Sequence, residues 1–120
     1  NHEPHKLPLT DFLMELLQRR REQTNSVYVF EGTDPSKPMN DPKKQIEKVR
    51  KISEVYFNIH DLRRTFLTVA ESLNISSYAC KKLANHKDQR DVTEGYIIMN
   101  FERLREPMNK ISEYILEQVR

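Results

Sequence analysis

Four side chains in the second half of the chain could do chemistry together. They are His60 and Arg63 in His60-Asp61-Leu62-Arg63-Arg64-Thr65, His86 in Leu83-Ala84-Asn85-His86, and Tyr96 in Val92-Thr93-Glu94-Gly95-Tyr96-Ile97. A phenol has a pKa near ~10 and is a weak nucleophile at neutral pH. It acts only where a base takes its proton or cations stabilise the phenolate. A phosphodiester repels an anionic attacker until its own charge is neutralised. Arginine suits that task, being permanently charged and able to fork onto two oxygens. Histidine can move a proton, or donate a hydrogen bond to phosphate, at working pH. The set is therefore suited to attack of a tyrosine oxygen on a phosphodiester held by cationic groups. His60 and Arg63 are three residues apart and share a face if their segment is helical. His86 and Tyr96 must be brought to them by the fold.

Each of these residues also has a plainer reading. A single histidine on a helix is commonly structural, and His-x-x-Arg occurs by chance in many helices. Arg64 sits beside Arg63 and could stand in its place, or form a local salt bridge. Tyr28, Tyr56, Tyr78 and Tyr114 compete with Tyr96, but their settings read as packing or surface. The three segments follow one another, with the tyrosine ten residues beyond His86.

In that order and spacing the segment resembles the C-terminal part of the catalytic domain of tyrosine recombinases, the phage integrase family, and most closely the prophage-type integrases. The resemblance is close over residues 57–115 and loose over the rest. Glu102-Arg103-Leu104-Arg105-Glu106-Pro107-Met108 shares it. Asn85 departs from the family, which commonly has glycine there. The resemblance implies a mainly α fold with a small β element, the DNA breaking-rejoining catalytic-domain fold, incomplete on its N-terminal side. It implies that Tyr96 forms a 3′-phosphotyrosyl link and frees a 5′-hydroxyl. Arg63 would bind the phosphate, His60 assist proton transfer at Tyr96, and His86 hydrogen-bond a non-bridging oxygen. The covalent link conserves bond energy, so no cofactor and no metal are expected. The implied partner is double-stranded DNA, bound by a tetramer of full-length protomers and open to DNA-bending accessory proteins. The activity would be site-specific recombination that integrates or excises a prophage or genomic island.

The family also uses an early arginine and a hairpin lysine. The arginine has no counterpart here, and Lys6 lies too close to Leu7-Pro8-Leu9 to be the lysine. Residues 1–120 are therefore expected to be part of a catalytic domain, inactive alone. Two other classes stay open at this level. One is a type IB topoisomerase-like enzyme that relaxes supercoils with the same tyrosine chemistry. The other is a non-catalytic DNA-binding or assembly module of the same fold, which would tolerate Tyr96→Phe.

The elements that must position these residues can be read in order. A chain of 120 residues, 32% charged and 37% hydrophobic, with two glycines and no tryptophan, favours helices over a turn-rich β fold. A net charge of +2 and a pI near 8.7 permit nucleic-acid binding without arguing for it. One cysteine, Cys80, allows no internal disulfide and reads as a small buried apolar group. No apolar run approaches membrane-spanning length, and the plain reading is a cytoplasmic domain with no membrane partner. His2 and His5 lack a third ligand at metal spacing.

His5–Leu9 reads as the end of a strand, and Thr10 as the cap of a helix over 11–22 with Phe12, Leu13, Leu16 and Leu17 on its apolar face. Arg19-Arg20-Arg21 could touch a DNA backbone or simply suit a helix C-terminus. Ser26–Phe30 is a strand candidate and Glu31–Asn40 a loop. A helix then opens at Asp41-Pro42, with Ile46, Val49 and Ile52 on one face. Lys43, Lys44, Lys48, Arg50 and Lys51 crowd the remainder, as a solvated face or a phosphate-contacting one. Asn58-Ile59-His60 leads into the helix of the first box, whose buried face is Phe66, Leu67, Val69, Ala70 and Leu73. Asn74 and Ser76 mark a stop and a restart. Residues 77–85 form a short helix, Asp88–Asp91 a polar turn, 91–98 a short helix carrying Tyr96, and about 101–118 a last helix that Pro107 kinks or begins.

Overall fold

The computed structural model of the protein describes residues 4–86 and 101–120. These residues are mainly helical: α1 Asp11–Glu22, α2 Lys43–Ser53, α3 Ile59–Ser72, α4 Ser77–Leu83, a 3-10 turn Phe101–Leu104, and α5 Arg105–Gln118. They form two compact units, one of Asn1–Thr10 with Arg63–Arg120, the other of Asp11–Leu62. Helix α3 contributes residues to both.

The first unit has a core. Ala70 of α3, Leu83 of α4, Leu104 of the 3-10 turn and Ile111 of α5 are buried together. Phe66, Val69, Leu73, Ile75, Ala79, Cys80 and Met108 pack around them. Ala70 puts little bulk at the centre, and Phe66, Val69 and Leu73 follow one another at three- and four-residue spacing, on one face of a helix. Full burial of a side chain such as Ile111 contributes about 1.5–3 kcal/mol. Pro107 lies in the first turn of α5, where its missing N–H costs no hydrogen bond, so it marks a helix start and not a kink. Glu102 and Arg105 bracket that start with two hydrogen bonds, from Nε at 2.8 Å and from an Nη at 3.2 Å.

The expected strand at His5–Leu9 is absent. This segment is irregular and joins the first unit through other contacts. Pro8 is fully buried, Leu9 gives its carbonyl to Arg105 at 3.4 Å, and the Thr10 hydroxyl accepts from Ser112 at 3.4 Å. Proline cannot donate to a ladder, and the neighbouring polar groups find helix side chains instead.

The second unit has no buried side chain on α1 or α2. Its expected strand, Ser26–Phe30, is a run of bends, so the small β element is not found among the described residues; one isolated bridge, Glu31 to Pro38, stands in its place. The reason is local competition for the backbone. The Ser26 hydroxyl donates to the Pro35 carbonyl at 2.7 Å and accepts from the Tyr28 N–H at 3.1 Å. Arg20 Nε takes the Val29 carbonyl at 3.0 Å, with its guanidinium over the Phe30 ring. Gly32 closes the loop by donating to the Lys37 carbonyl at 2.8 Å; a Cβ there would meet the Pro38 carbonyl oxygen at 3.0 Å.

Helix α2 begins one residue later than the proline predicts, with Pro42 as its cap. The Asp41 carboxylate accepts the Lys43 N–H at 2.9 Å. At its other end Glu54 turns left-handed, with φ 57°. Arg50 ties the exit down, donating to the Phe57 carbonyl at 2.6 Å with its guanidinium 4.7 Å from the Tyr56 ring centre.

Candidate active site

The first box is held by a reciprocal cap. The Asn58 side chain accepts from the Asp61 N–H at 2.9 Å, and the Asp61 carboxylate accepts from the Asn58 N–H at 2.9 Å. This satisfies two amides that a helix start leaves free. His60 sits inside that capped turn and is exposed. Arg63, one turn on, is half-buried, whereas Arg64 is exposed. The two adjacent arginines therefore have different surroundings, and Arg63 is the one directed into structure.

The second box ends α4 in a Schellman turn. Asn85 N–H donates to the Lys82 carbonyl at 3.2 Å, and His86 N–H to the Lys81 carbonyl at 2.8 Å. This pairing needs a left-handed residue just beyond the helix, and Asn85 has φ 51°. Asparagine is one of the few side chains that accept that conformation readily. Glycine and asparagine both suit this turn. The same device ends α3: Asn74 has φ 57°, and Ile75 N–H reaches the Ala70 carbonyl at 3.1 Å.

The two boxes meet through Arg63. One guanidinium nitrogen donates to the Ala84 carbonyl at 2.5 Å, across twenty-one residues of sequence. Next to it, the His5 ring nitrogen Nε2 lies 2.8 Å from the Lys82 carbonyl. The α4 C-terminus, where carbonyls are left without helix partners, is thus held by Arg63 and His5. Arg63 has further N–H groups on the same fork with which to take a phosphate oxygen.

Of the four predicted residues, Arg63 and the backbone leading to His86 are brought together. His86 is exposed at the end of the Schellman turn, and His60 is exposed at the start of α3. Tyr96, its helix over 91–98 and the turn Asp88–Asp91 lie outside the described residues, as does His2. Lys6 is exposed. Cys80 is only half-buried: its thiol donates to the Ile75 carbonyl at 3.7 Å, and burial pushes its pKa above the usual thiol value.

Sequence reasoning missed His5, Ala84 and the reciprocity of Asn58 and Asp61. Asn58-x-x-Asp61 carried a readable capping pattern. His5 left no local signal, because its partner lies seventy-seven residues away. A pocket of about 230 Å³ opens between the α3–α4 turn and the start of α5, lined in part by Ile75, Tyr78, Arg103 and Pro107; it includes none of the four. Among the described residues no three His, Cys, Asp or Glu side chains group to hold a metal, and no helix is long and apolar enough to cross a membrane. No family model matches the chain, and no curated protein or solved structure matches it either.

Proposed function

We propose that this chain carries the C-terminal catalytic boxes of a tyrosine recombinase, a DNA strand transferase of the phage-integrase kind. The observation that carries the reading is the hydrogen bond from Arg63 to the Ala84 carbonyl. It joins His-x-x-Arg to the box ending in His86, as a phosphate site built from both would require. In this reading Tyr96 attacks the scissile phosphate, forms the 3′-phosphotyrosyl bond and expels the 5′-hydroxyl. Arg63 neutralises the phosphate and the charge that grows on its oxygens. His86 donates to a non-bridging oxygen, and His60 handles the Tyr96 proton. Religation to another 5′-hydroxyl exchanges strands between two duplexes held by a tetramer.

The test is a nicked suicide duplex bearing candidate attachment sites, mixed with the chain fused behind a recombinase segment that supplies the upstream arginine and lysine. A covalent protein–DNA adduct on a denaturing gel, lost in Tyr96→Phe and reduced about 100-fold or more in Arg63→Ala, is the expected result. An adduct that survives Tyr96→Phe would overturn the assignment of the nucleophile. Relaxation of a supercoiled plasmid without exchanged products would replace recombinase with topoisomerase.

A further inference from the structure

Two basic clusters lie in Asp11–Leu62, and helix energetics separates them. On α1 the acid comes first, Asp11, and Arg19, Arg20 and Arg21 come last. That is the order the helix dipole favours, and Arg20 is already bonded to the Val29 carbonyl. Those arginines need no ligand to explain them. On α2 the last turn is basic too, with Arg50 and Lys51, but so is the first. Lys43 and Lys44 occupy the first turn, which has no acidic residue within it. Cations there oppose the dipole. Lys43, Lys44, Lys48 and Lys51 are all exposed. The helix's carboxylate, Glu47, is bonded to Arg50 and not to a lysine. On α5, by contrast, Arg105 and Lys110 each meet a glutamate.

At 100° per residue the four lysines fall within an arc of roughly 140°. Ile46, Val49 and Ile52 lie on the other side. From Lys44 to Lys51 the axis rises about 10 Å, which matches about three nucleotides along one DNA strand at 3.4 Å each. The charge is also concentrated here. Helix α2 holds five cations against one carboxylate in a chain of net charge +2, so the rest of the chain is net negative. A helix that lies on a membrane would want free cations along both edges of its apolar stripe. Here the second edge is Arg50, which the Phe57 carbonyl, Glu47 and the Tyr56 ring already engage.

We propose that the lysine face of α2 is a docking surface for the phosphate backbone of double-stranded DNA, contacted through Lys44, Lys48 and Lys51 without regard to base sequence. The duplex as partner rests on the recombinase reading, but the contact needs neither Tyr96 nor Arg63. The lysines would position the strand, and base recognition would lie elsewhere.

The experiment is fluorescence anisotropy of the 120-residue chain with a labelled mixed-sequence duplex across a potassium chloride series. The parent is compared with the triple variant Lys44→Gln, Lys48→Gln, Lys51→Gln, and with a charge-matched triple variant Lys6→Gln, Lys37→Gln, Lys110→Gln. Circular dichroism checks that each variant keeps its helix content. Each phosphate contact adds about 0.9 to the slope of log affinity against log salt, so the α2 triple variant should be shallower by about 2.7. Between about 50 and 200 mM salt it should then lose about 40-fold less affinity than the parent, while the charge-matched variant keeps the parent's slope to within about one contact.

Equal slopes for the parent and the α2 variant would overturn the proposal, as would equal losses in both variants. So would binding to phosphatidylserine vesicles with no duplex binding by the parent. An absent Tyr96 adduct with the α2 slope change intact would defeat the recombinase reading alone. A Tyr96 adduct with no slope change would defeat the docking surface alone.

Discussion

The unit built around Ile111 and the unit from Asp11 to Leu62 use their apolar residues differently. In the first, Ile111 is 1% exposed, and helices from distant parts of the sequence converge on it. In the second, Val27 is 91% exposed, Tyr56 83% and Ile52 75%. Polar side chains fastened to backbone carbonyls shape it instead, at Arg20–Val29, Ser26–Pro35 and Arg50–Phe57. A hydrogen bond of this kind nets only about 0.5–1.5 kcal/mol, and an exposed one exchanges readily with water. Apolar periodicity is equally clear in α2 and α5. It marks a helix in both, yet only α5 has a buried residue, Ile111.

The sharpest way to break this comparison is a matched pair of truncations. Ile111→Ala should cost about 2–5 kcal/mol, because it empties a packed position. Ile52→Ala should change stability by no more than about 0.5 kcal/mol. Urea unfolding followed by circular dichroism measures both. Equal costs would mean that Ile52 is covered in solution and that the second unit has a core after all.

A smaller effect tests whether the second box is set by backbone geometry. Asn85 is left-handed at the end of α4, and valine there would meet the steric penalty of about 1–2 kcal/mol that the region imposes. Asn85→Val should lower the melting temperature and, with it, the adduct yield. Asn85→Gly should keep both, since glycine accepts the same conformation. If Asn85→Val matches the parent in both measurements, the Schellman turn does not govern His86.

Asn85 also shows how far the sequence could be read. Asn85 stood out because the resemblance expects glycine there, and the left-handed turn explains why asparagine can replace it. The helices followed from periodicity, from Ser76, whose hydroxyl accepts the Ala79 N–H at 3.2 Å, and from Pro107. The strands at His5–Leu9 and Ser26–Phe30 did not form. Strand propensity measures fit to a neighbouring strand, and neither segment has one; Pro8 and Ser26 turned the local backbone to other partners. The candidate site was proposed from residue types, and its contacts were not readable. No local pattern could have joined Arg63 to Ala84 or His5 to Lys82, since such pairs exist only once the chain has folded.

The smallest predicted effect bears on why α2 is built as it is. Lys44 lies in the first turn, where a cation opposes the dipole and a carboxylate would complement it. Lys44→Glu should therefore stabilise the chain by about 0.3–1 kcal/mol. The new carboxylate would also stand four residues before Lys48, the favourable order for an ion pair, adding about 0.2–0.5 kcal/mol. The same substitution should weaken duplex binding, by removing one phosphate contact and placing an anion beside the others. Thermal melting and anisotropy on one sample read the two effects, which carry opposite signs. If stability rises while affinity is unchanged, Lys44 is only a badly placed surface charge. If stability falls, the lysine has a structural partner, and the basic face belongs to the fold rather than to DNA.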